Sequence, residues 1–211
     1  MNCPRNLKKP EDNGHKLPYQ YMGFIDEFIA RFITHLAEPL HNLGITPNMV
    51  TIFGIIIRLY SIYLFTHGKC YFAVILYFIG YVLDCLDGYM ARKYDQMSKI
   101  GDVLDHLGDL TIIFILILFI LQGLEKKRIS LLVLYIFTVI ILFLEMGYQE
   151  QYYSCLNSNP INDFLLHSEP FYTKKDLSKV PLLFRVLDCG ASQVILCILM
   201  FFVCYDQTCM L

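Results

Sequence analysis

Charged residues are scarce in this sequence. Only 17% of its 211 residues are Asp, Glu, Lys or Arg, the formal net charge is −2, and no basic stripe is interleaved with aromatic residues. A nucleic-acid-binding surface needs a concentrated positive field, so nucleic acid is excluded as a partner. Hydrophobic residues make up 56% of the chain, which is too apolar for an ordinary soluble domain and indicates an integral membrane protein.

Cysteine pairs at metal-binding spacing are missing as well. The eight cysteines are scattered and no CxxC occurs, so neither a zinc site nor a disulfide framework is predicted. The first twenty residues lack the apolar core of a signal peptide, and the first membrane span is expected to act as the insertion signal. Those cysteines that lie in or beside apolar runs are predicted to be small buried hydrophobic residues: Cys70, Cys85, Cys189, Cys197 and Cys204.

The N-terminal part of the chain divides into two segments. Residues 1 to 20 hold Pro4, Pro10, Pro18 and most of the early charge, which predicts a disordered cytosolic tail. Residues 21 to 43 carry apolar side chains at helical spacing and polar ones on the other side, which predicts an amphipathic juxtamembrane helix. That pattern fits a helix lying in the membrane interface or one packed on the cytosolic face of the protein itself.

The rest of the chain, residues 44 to 211, is predicted to be a transmembrane domain. Five apolar spans are expected, at about 49–66, at 70–90, from near Gly101, at 130–147 and at 181–204. Residues 148–179 are polar and aromatic, which predicts a loop, either without regular structure or with an interfacial helix in it. Arg58 lies inside the first span, where a charge is costly, so we expect it to pair with a carboxylate or a lipid phosphate.

Orientation follows from the distribution of basic residues, which stay on the cytosolic side of a membrane. Five spans place only four basic residues on one side, Lys69, Lys126, Lys127 and Arg128. The connector near residue 92 is therefore predicted to face the cytosol. The cytosolic side receives the larger set: Arg5, Lys8, Lys9, Lys16, Arg31, Arg92, Lys93, Lys99, Lys174, Lys175 and Lys179.

The chain is organised around residues 84–109, between two apolar runs. Their skeleton is Asp84-x2-Asp87-Gly88-x2-Ala91-Arg92-x8-Gly101-x3-Asp105-x3-Asp109. Positions three and four apart share a helix face, so each pair of aspartates projects together and a tight turn would gather all four. Such a cluster needs a cation, and oxygen-only ligation favours Mg²⁺ or Mn²⁺, as a pair of ions. Helix caps or surface ion pairs would explain one or two aspartates but not the spacing.

This skeleton resembles, without a gap or substitution, the signature of the CDP-alcohol phosphotransferases, the CDP-alcohol phosphatidyltransferase class-I family of phospholipid synthesis. The connector from Ala91 to Gly101 is most similar to phosphatidylinositol synthases. The resemblance implies transfer of the phosphatidyl group from CDP-diacylglycerol to a polar alcohol, best assigned as myo-inositol, with release of CMP. Glycerol 3-phosphate or serine are alternative acceptors. Asp105-His106 resembles the choline and ethanolamine phosphotransferases, which use a CDP-aminoalcohol and diacylglycerol.

The resemblance also implies roles for individual residues. The metal ligands would be Asp84, Asp87, Asp105 and Asp109, and Asp109 would also be the catalytic base. The CDP-lipid would contact Pro47, Asn48, Gly88, Ala91, Arg92, Ser98 and Gly101. The small residues among these also suit plain helix packing in a membrane. His106 sits between Asp105 and Asp109 in the middle of the cluster, where it is expected to support the ligands, with contact to the substrate as the alternative. Asp102, one turn before Asp105, is expected to be solvated.

For the whole molecule, the resemblance implies an all-α integral membrane bundle of five or six transmembrane helices preceded by the amphipathic helix. The expected partners are a CDP-activated lipid, a small polar alcohol and the lipid bilayer, and a homodimer is compatible with the family. The membrane would be of endoplasmic reticulum type in a eukaryotic host, with the active site facing the cytosol. The resemblance covers about residues 44 to 147.

Two other classes share some of these features. Intramembrane acids and an arginine also mark ion-coupled transporters, but transporters place such groups near the bilayer midplane and carry internal repeats. Here the acids lie at predicted helix ends and no repeat is found. A catalytically inactive scaffold would tolerate loss of a motif residue, and none is lost.

Overall fold

A computed structural model describes residues 7–98, 126–156 and 182–208, together with residues 101, 103, 107, 108, 111–115, 117 and 118. Across these ranges the chain forms helices joined by turns and contains no strand, so the predicted all-α class is confirmed. A short 3-10 turn, Tyr19–Tyr21, precedes the helices, which are α1 (Phe24–Asn42), α2 (Pro47–Thr66), α3 (Cys70–Lys93), α4 (Lys126–Leu156), α5 (Leu182–Val186) and α6 (Cys189–Thr208).

Three of these helices are long and apolar enough to cross a membrane. They are Pro47–Thr66, Cys70–Lys93 and the Leu132–Leu156 part of α4, and Cys189–Tyr205 is a shorter apolar helix. The prediction of a multi-pass integral membrane protein is therefore confirmed. The described residues between 101 and 118 are also helical, where the sequence predicts the third span.

The helices α2 and α3 form the most extensive contact among the described elements. Thr46 caps α2 by accepting a hydrogen bond from the Met49 N–H at 3.4 Å, and Pro47 occupies the first turn, where its missing N–H costs nothing. Further along, a Cβ added to Gly54 would lie only 3.6 Å from the carbonyl oxygen of Gly80. The backbones of α2 and α3 therefore come close together where these two glycines face each other, as membrane helices do at small residues.

The amphipathic helix α1 packs on the protein through one face. Ile29, Ile33 and Ala37 are buried in a cluster that also contains Leu86 and Met90 of α3. The packed placement, one of the two alternatives left by the sequence, is therefore present. A second stripe, spaced four residues apart on α1, is exposed and aromatic, and consists of Phe24, Phe28 and Phe32.

Two predicted boundaries were wrong. Helix α4 continues to Leu156 instead of ending near 147, because Tyr148 and Tyr152 are buried against the N-terminal segment and so prolong the packed face. The predicted last span is interrupted at residues 187–188, where the Asp188 side chain accepts a hydrogen bond of 2.6 Å from the Ala191 N–H and starts α6. The remainder of the predicted loop, residues 157–179, lies outside the described residues.

The prediction of a disordered tail fails for residues 7–20. His15 and Leu17 are buried, and the Tyr152 hydroxyl donates a 2.7 Å hydrogen bond to the Lys8 carbonyl. Composition predicts disorder when a segment has too little apolar surface to fold alone, but this segment packs on surfaces supplied by α3 and α4.

The prediction for Cys70 and Cys204 as unpaired residues was also wrong. They form a disulfide with a Cα–Cα distance of 5.7 Å, and Cys155 is disulfide-bonded too. Because α3 and α6 are antiparallel, the first residue of α3 meets the last turns of α6, and a sequence separation of 134 carries no signal for that meeting. Cys85, Cys189 and Cys197 are free.

Candidate functional site

A cavity of about 210 Å³ lies where the C-terminal half of α3 meets α1, α4, α6 and the N-terminal segment. Four predicted site residues line it: Asp84, Asp87, Gly88 and Arg92. Asp84 and Asp87 are one helical turn apart on α3, so both carboxylates face the same space, as their spacing predicts. Arg58 of α2 completes this side of the cavity.

Asp87 tests whether this side of the cavity fits a cation. The residue is 5% exposed, and its Oδ2 is buried with no hydrogen-bond partner among the described residues. An unpaired carboxylate oxygen away from water costs several kcal/mol, so the site calls for a cation or a proton at that atom. Oxygen donors of this kind suit Mg²⁺ or Mn²⁺, and Asp84 and Asp87 therefore fit the predicted metal.

Asp84 is held from the side by Arg58. The Arg58 Nη2 atom lies 2.8 Å from Asp84 Oδ1, and Arg58 itself is buried. The expectation that this intramembrane arginine pairs with a carboxylate is confirmed. Gly80, which the sequence analysis did not single out, makes the pairing possible, because a Cβ there would overlap the Arg58 side chain on its way to Asp84.

Arg92 lies folded against its own helix. A Cβ added to Gly88 would come 3.2 Å from Arg92 Nη1 and 3.5 Å from Nη2, so the glycine provides the room in which the guanidinium rests. The Nε atom donates a 2.7 Å hydrogen bond to the carbonyl oxygen of Gly14 in the N-terminal segment. Contacts within the protein therefore hold the guanidinium in the cavity that Asp84 and Asp87 also line, without help from a ligand.

Three other predicted substrate residues meet a short distance away. The Gly101 N–H donates a 3.0 Å hydrogen bond to Ser98 Oγ, and a Cβ on Gly101 would lie 2.5 Å from Asn48 Oδ1. Gly108 packs on Ile55. From the first contact to the second, both segments advance by seven residues, from Gly101 to Gly108 and from Asn48 to Ile55. The helical residues after Gly101 therefore run parallel to α2. Pro47, Asn48, Ala91, Ser98 and Gly101 are not among the residues that line the cavity.

The second half of the predicted metal cluster is not described. Asp105 and Asp109, together with His106 and Asp102, lie outside the described residues. The gathering of four carboxylates consequently stays a prediction, of which the structure describes Asp84 and Asp87.

A second acidic group, which the sequence analysis missed, adjoins the cavity, whose lining includes its members Asp26 and Cys189. Ligand atoms of Asp26, Glu145 and Cys189 are all within 4.8 Å of one another, an arrangement that could hold a cation. Asp26 Oδ1 accepts hydrogen bonds from the Tyr81 hydroxyl at 3.0 Å and from the Gly190 N–H at 2.7 Å. Burial, reinforced by the neighbouring carboxylate of Asp188, raises the pKa of Asp26 to about 7.

Glu145 is the unusual member of this second group. It is 3% exposed; its Oε1 accepts a 3.2 Å hydrogen bond from Gln149, and its Oε2 has no hydrogen-bond partner among the described residues. In the sequence Glu145 is the sole charged residue in the apolar run 130–147. The rule that drew attention to Arg58, that charge inside a span marks function, would have found it.

Comparison with known proteins gives one family. Residues 44–164, more than half of the chain, match the model of the CDP-alcohol phosphatidyltransferase family. The chain is 38% identical over 86 residues to an archaetidylinositol phosphate synthase of Pyrococcus horikoshii, covering 39% of this chain and 46% of that protein. It is 35% identical over 77 residues to a phosphatidylinositol phosphate synthase of Mycobacterium tuberculosis, covering 36% of each chain.

A third relative carries a different name. The chain is 35% identical over 66 residues to a CDP-diacylglycerol–glycerol-3-phosphate 3-phosphatidyltransferase of Haemophilus influenzae, covering 30% of this chain and 36% of that protein. In each case the match spans less than half of the length of the curated relative. No solved structure matches the chain.

Proposed function

The chain belongs to the CDP-alcohol phosphatidyltransferase family, and we propose that it transfers the phosphatidyl group of CDP-diacylglycerol to a small polar alcohol with release of CMP. The observation that carries this proposal is the convergence of Asp84, Asp87 and Arg92 on one cavity, with a buried Asp87 oxygen that has no hydrogen-bond partner among the described residues. Phosphoryl transfer requires groups that neutralise and align the phosphate and little other chemistry from the protein.

Asp84 and Asp87, with Asp105 and Asp109, would hold a pair of Mg²⁺ or Mn²⁺ ions, which supply charge neutralisation at the phosphoryl oxygens and at the leaving CMP. Arg92 grips the diphosphate through its planar fork of N–H donors. Arg58 orients the Asp84 carboxylate through the 2.8 Å ion pair between them. Pro47, Asn48, Gly88, Ala91, Ser98 and Gly101 are proposed to contact the rest of the CDP-lipid.

Asp109 is the proposed base. Its carboxylate takes the proton of the acceptor hydroxyl as that oxygen bonds to the phosphorus of the phosphatidyl group. The bond from phosphorus to the bridging oxygen breaks, and CMP leaves with the electron pair. Arg92 stabilises the negative charge that develops on CMP.

The acceptor is proposed to be myo-inositol, a neutral polyol. The lining of the cavity around Asp26 supports this choice, because Asp26, Tyr81 and Gln149 offer oxygen acceptors to hydroxyl groups there. The names of the relatives divide between inositol phosphate and glycerol phosphate lipids, so they do not decide the alcohol.

The active site is proposed to face the cytosol, of an endoplasmic reticulum-type membrane in a eukaryotic host. The excess of Lys and Arg at that end of the predicted spans supports this orientation. The disulfides do not indicate which side is cytosolic, because Cys70 lies at the opposite end of α3 from the motif whereas the disulfide-bonded Cys155 packs against the cluster that contains Leu17 of the N-terminal segment. A homodimer stays a prediction.

An acceptor panel tests the proposal. Purified protein with CDP-diacylglycerol and Mg²⁺ or Mn²⁺ is supplied in turn with myo-inositol, inositol phosphate, glycerol 3-phosphate, serine, choline and ethanolamine, and lipid products are identified by mass. We expect phosphatidylinositol with inositol and at least tenfold less product with the phosphorylated acceptors, a discrimination of about 1.4 kcal/mol. Equal use of inositol phosphate would contradict the acceptor assignment, and no product with any alcohol would contradict the activity.

A further inference from the structure

The N-terminal segment, which composition predicts to be disordered, is fastened to the helix that carries the motif. We call residues 8–17 the N-terminal strap. The Oδ2 atom of Asp12 in the strap accepts a 3.0 Å hydrogen bond from the Tyr89 hydroxyl and forms a 3.2 Å ion pair with Lys93 Nζ. Tyr89 and Lys93 belong to α3 and flank Arg92 on either side along the helix.

The strap also determines where Arg92 points. Its Gly14 carbonyl accepts the hydrogen bond from Arg92 Nε, which leaves the two terminal nitrogens over Gly88 and toward the cavity. Residue 14 has to be glycine at this approach, because a Cβ there would overlap the buried ring of Tyr89. The backbone of the strap therefore lies directly against α3 at residue 14, in a position that only glycine permits.

On its other side the strap is joined to α4. Lys16 Nζ lies 2.9 Å from Glu150 Oε2, and the Lys8 carbonyl accepts the hydrogen bond from Tyr152. Leu17 is buried in the same cluster as Tyr148. Contacts to both helices hold the strap across one end of the cavity.

His15 stands at the centre of this arrangement. It is 4% exposed, and it lines the same cavity as Asp84, Asp87 and Arg92. The imidazole packs 4.7 Å from the Tyr89 ring, and its Nε2 lies 3.1 Å from the Tyr19 hydroxyl, which leaves Nδ1 for a further partner. Burial, helped by the charge of Arg92, lowers the pKa of His15 to about 4, so the ring is neutral at pH 7.

We propose that the N-terminal strap completes the nucleotide end of the site, with His15 contacting the CDP moiety directly and Gly14 acting as a positioning residue for Arg92. This inference rests on the proposed function, since it concerns the CDP group of the same substrate. A neutral imidazole offers the nucleotide an apolar ring face and a hydrogen-bonding nitrogen without repelling the neighbouring guanidinium.

The test uses full-length protein in detergent, with soluble CDP as the probe in the presence of Mg²⁺. Binding of CDP, KM for CDP-diacylglycerol, kcat and the thermal unfolding midpoint are measured for wild type, His15→Ala and Asp12→Asn. His67→Ala is the matched control, because His67 is exposed in the turn after α2 and does not line the cavity. Asp12→Asn weakens the anchor to Lys93 and Tyr89 without entering the cavity.

His15→Ala is expected to weaken CDP binding and raise KM roughly three- to tenfold, the worth of about one hydrogen bond, with kcat little changed. Asp12→Asn should weaken CDP binding in the same direction, and His67→Ala should match wild type. CDP affinity equal to wild type in both strap variants, with or without a lower unfolding midpoint, would overturn the inference, because the strap would then be purely structural.

Tighter CDP binding in either strap variant would also overturn it, since the strap would then compete with the nucleotide. Wild-type protein that binds no CDP in Mg²⁺ would overturn the proposed function itself and the strap's role with it. Binding by wild type together with unchanged strap variants would contradict only the strap.

Discussion

Asp87 and Asp84 both line the cavity, but their carboxylates have different surroundings. Asp84 has a cationic neighbour in Arg58 at 2.8 Å, whereas the Oδ2 atom of Asp87 is buried without a hydrogen-bond partner among the described residues. A carboxylate in that condition binds a proton or a cation. We therefore regard Asp87 as the residue whose environment depends most on the proposed metal.

The proposed division of labour among the aspartates predicts different defects. Asp109→Asn should leave binding of a non-reactive CDP-lipid analogue largely intact, while turnover falls by roughly two to four orders of magnitude, the usual worth of a general base. Asp87→Asn should weaken metal and analogue binding together, because it removes a ligand rather than the base. Binding is titrated separately from rate, since turnover alone does not separate the two roles.

Two outcomes would change these assignments. If Asp109→Asn abolishes analogue binding as fully as Asp87→Asn does, then Asp109 is chiefly a metal ligand. His106 would then be the first candidate for the base. If Asp87→Asn keeps full metal affinity, Asp87 is not a metal ligand, and the proposed ligand set is wrong.

At the scale of the helices, the closeness of α2 and α3 is what brings Arg58 to Asp84. The Arg58 side chain passes over Gly80, where a Cβ would overlap it. We therefore predict that Gly80→Ala displaces the Arg58 side chain from Asp84. Overpacking of this kind costs about 1–3 kcal/mol, and the misplaced arginine should reduce CMP release as well as the thermal unfolding midpoint.

Gly54→Ala is the matched control for Gly80→Ala. The added Cβ would meet Leu83 Cβ at 3.4 Å and the Gly80 carbonyl oxygen at 3.6 Å, which are ordinary van der Waals distances. Gly54→Ala should therefore be nearly neutral in both measurements. Equal effects of the two substitutions would show that general helix crowding, and not the path of Arg58, matters here.

Sequence alone predicted the helices with strong apolar periodicity, and it predicted that the candidate site residues on α3 lie together. Asp84, Asp87, Gly88 and Arg92 follow each other at helical spacing, so their common position was readable from local pattern. The second acidic group was not readable in that way, because Asp26 and Glu145 come from different helices and meet only through packing. The strap was missed because its partners, on α3 and α4, are distant in sequence.

For the whole molecule, the distribution of basic residues predicts which end of the bundle faces the cytosol. Gln96 is exposed in the connector after α3, and His67 is exposed in the turn between α2 and α3. In sealed, right-side-out membrane vesicles, Gln96→Cys should react with a membrane-impermeant thiol reagent only when the reagent is on the cytosolic side. His67→Cys should react from the opposite side only, with the parent protein as the background for native cysteines.

Labelling of position 96 from the lumenal side would reverse the orientation. The CDP-lipid headgroup and the soluble alcohol would then have to reach the site from the lumen. Labelling of both positions from one side would mean that α2 and α3 do not both cross the membrane, against their length and hydropathy.

The most direct test of the central claim is the release of CMP from CDP-diacylglycerol, measured together with formation of the lipid product. Purified wild-type protein with Mg²⁺ or Mn²⁺ and myo-inositol should release CMP and form phosphatidylinositol in equal amounts. Both should stop when the divalent ion is chelated, when inositol is omitted or when Asp87 is replaced by Asn. CMP release that continues without any alcohol, or no release with any alcohol and metal, would contradict the assignment as a phosphatidyltransferase.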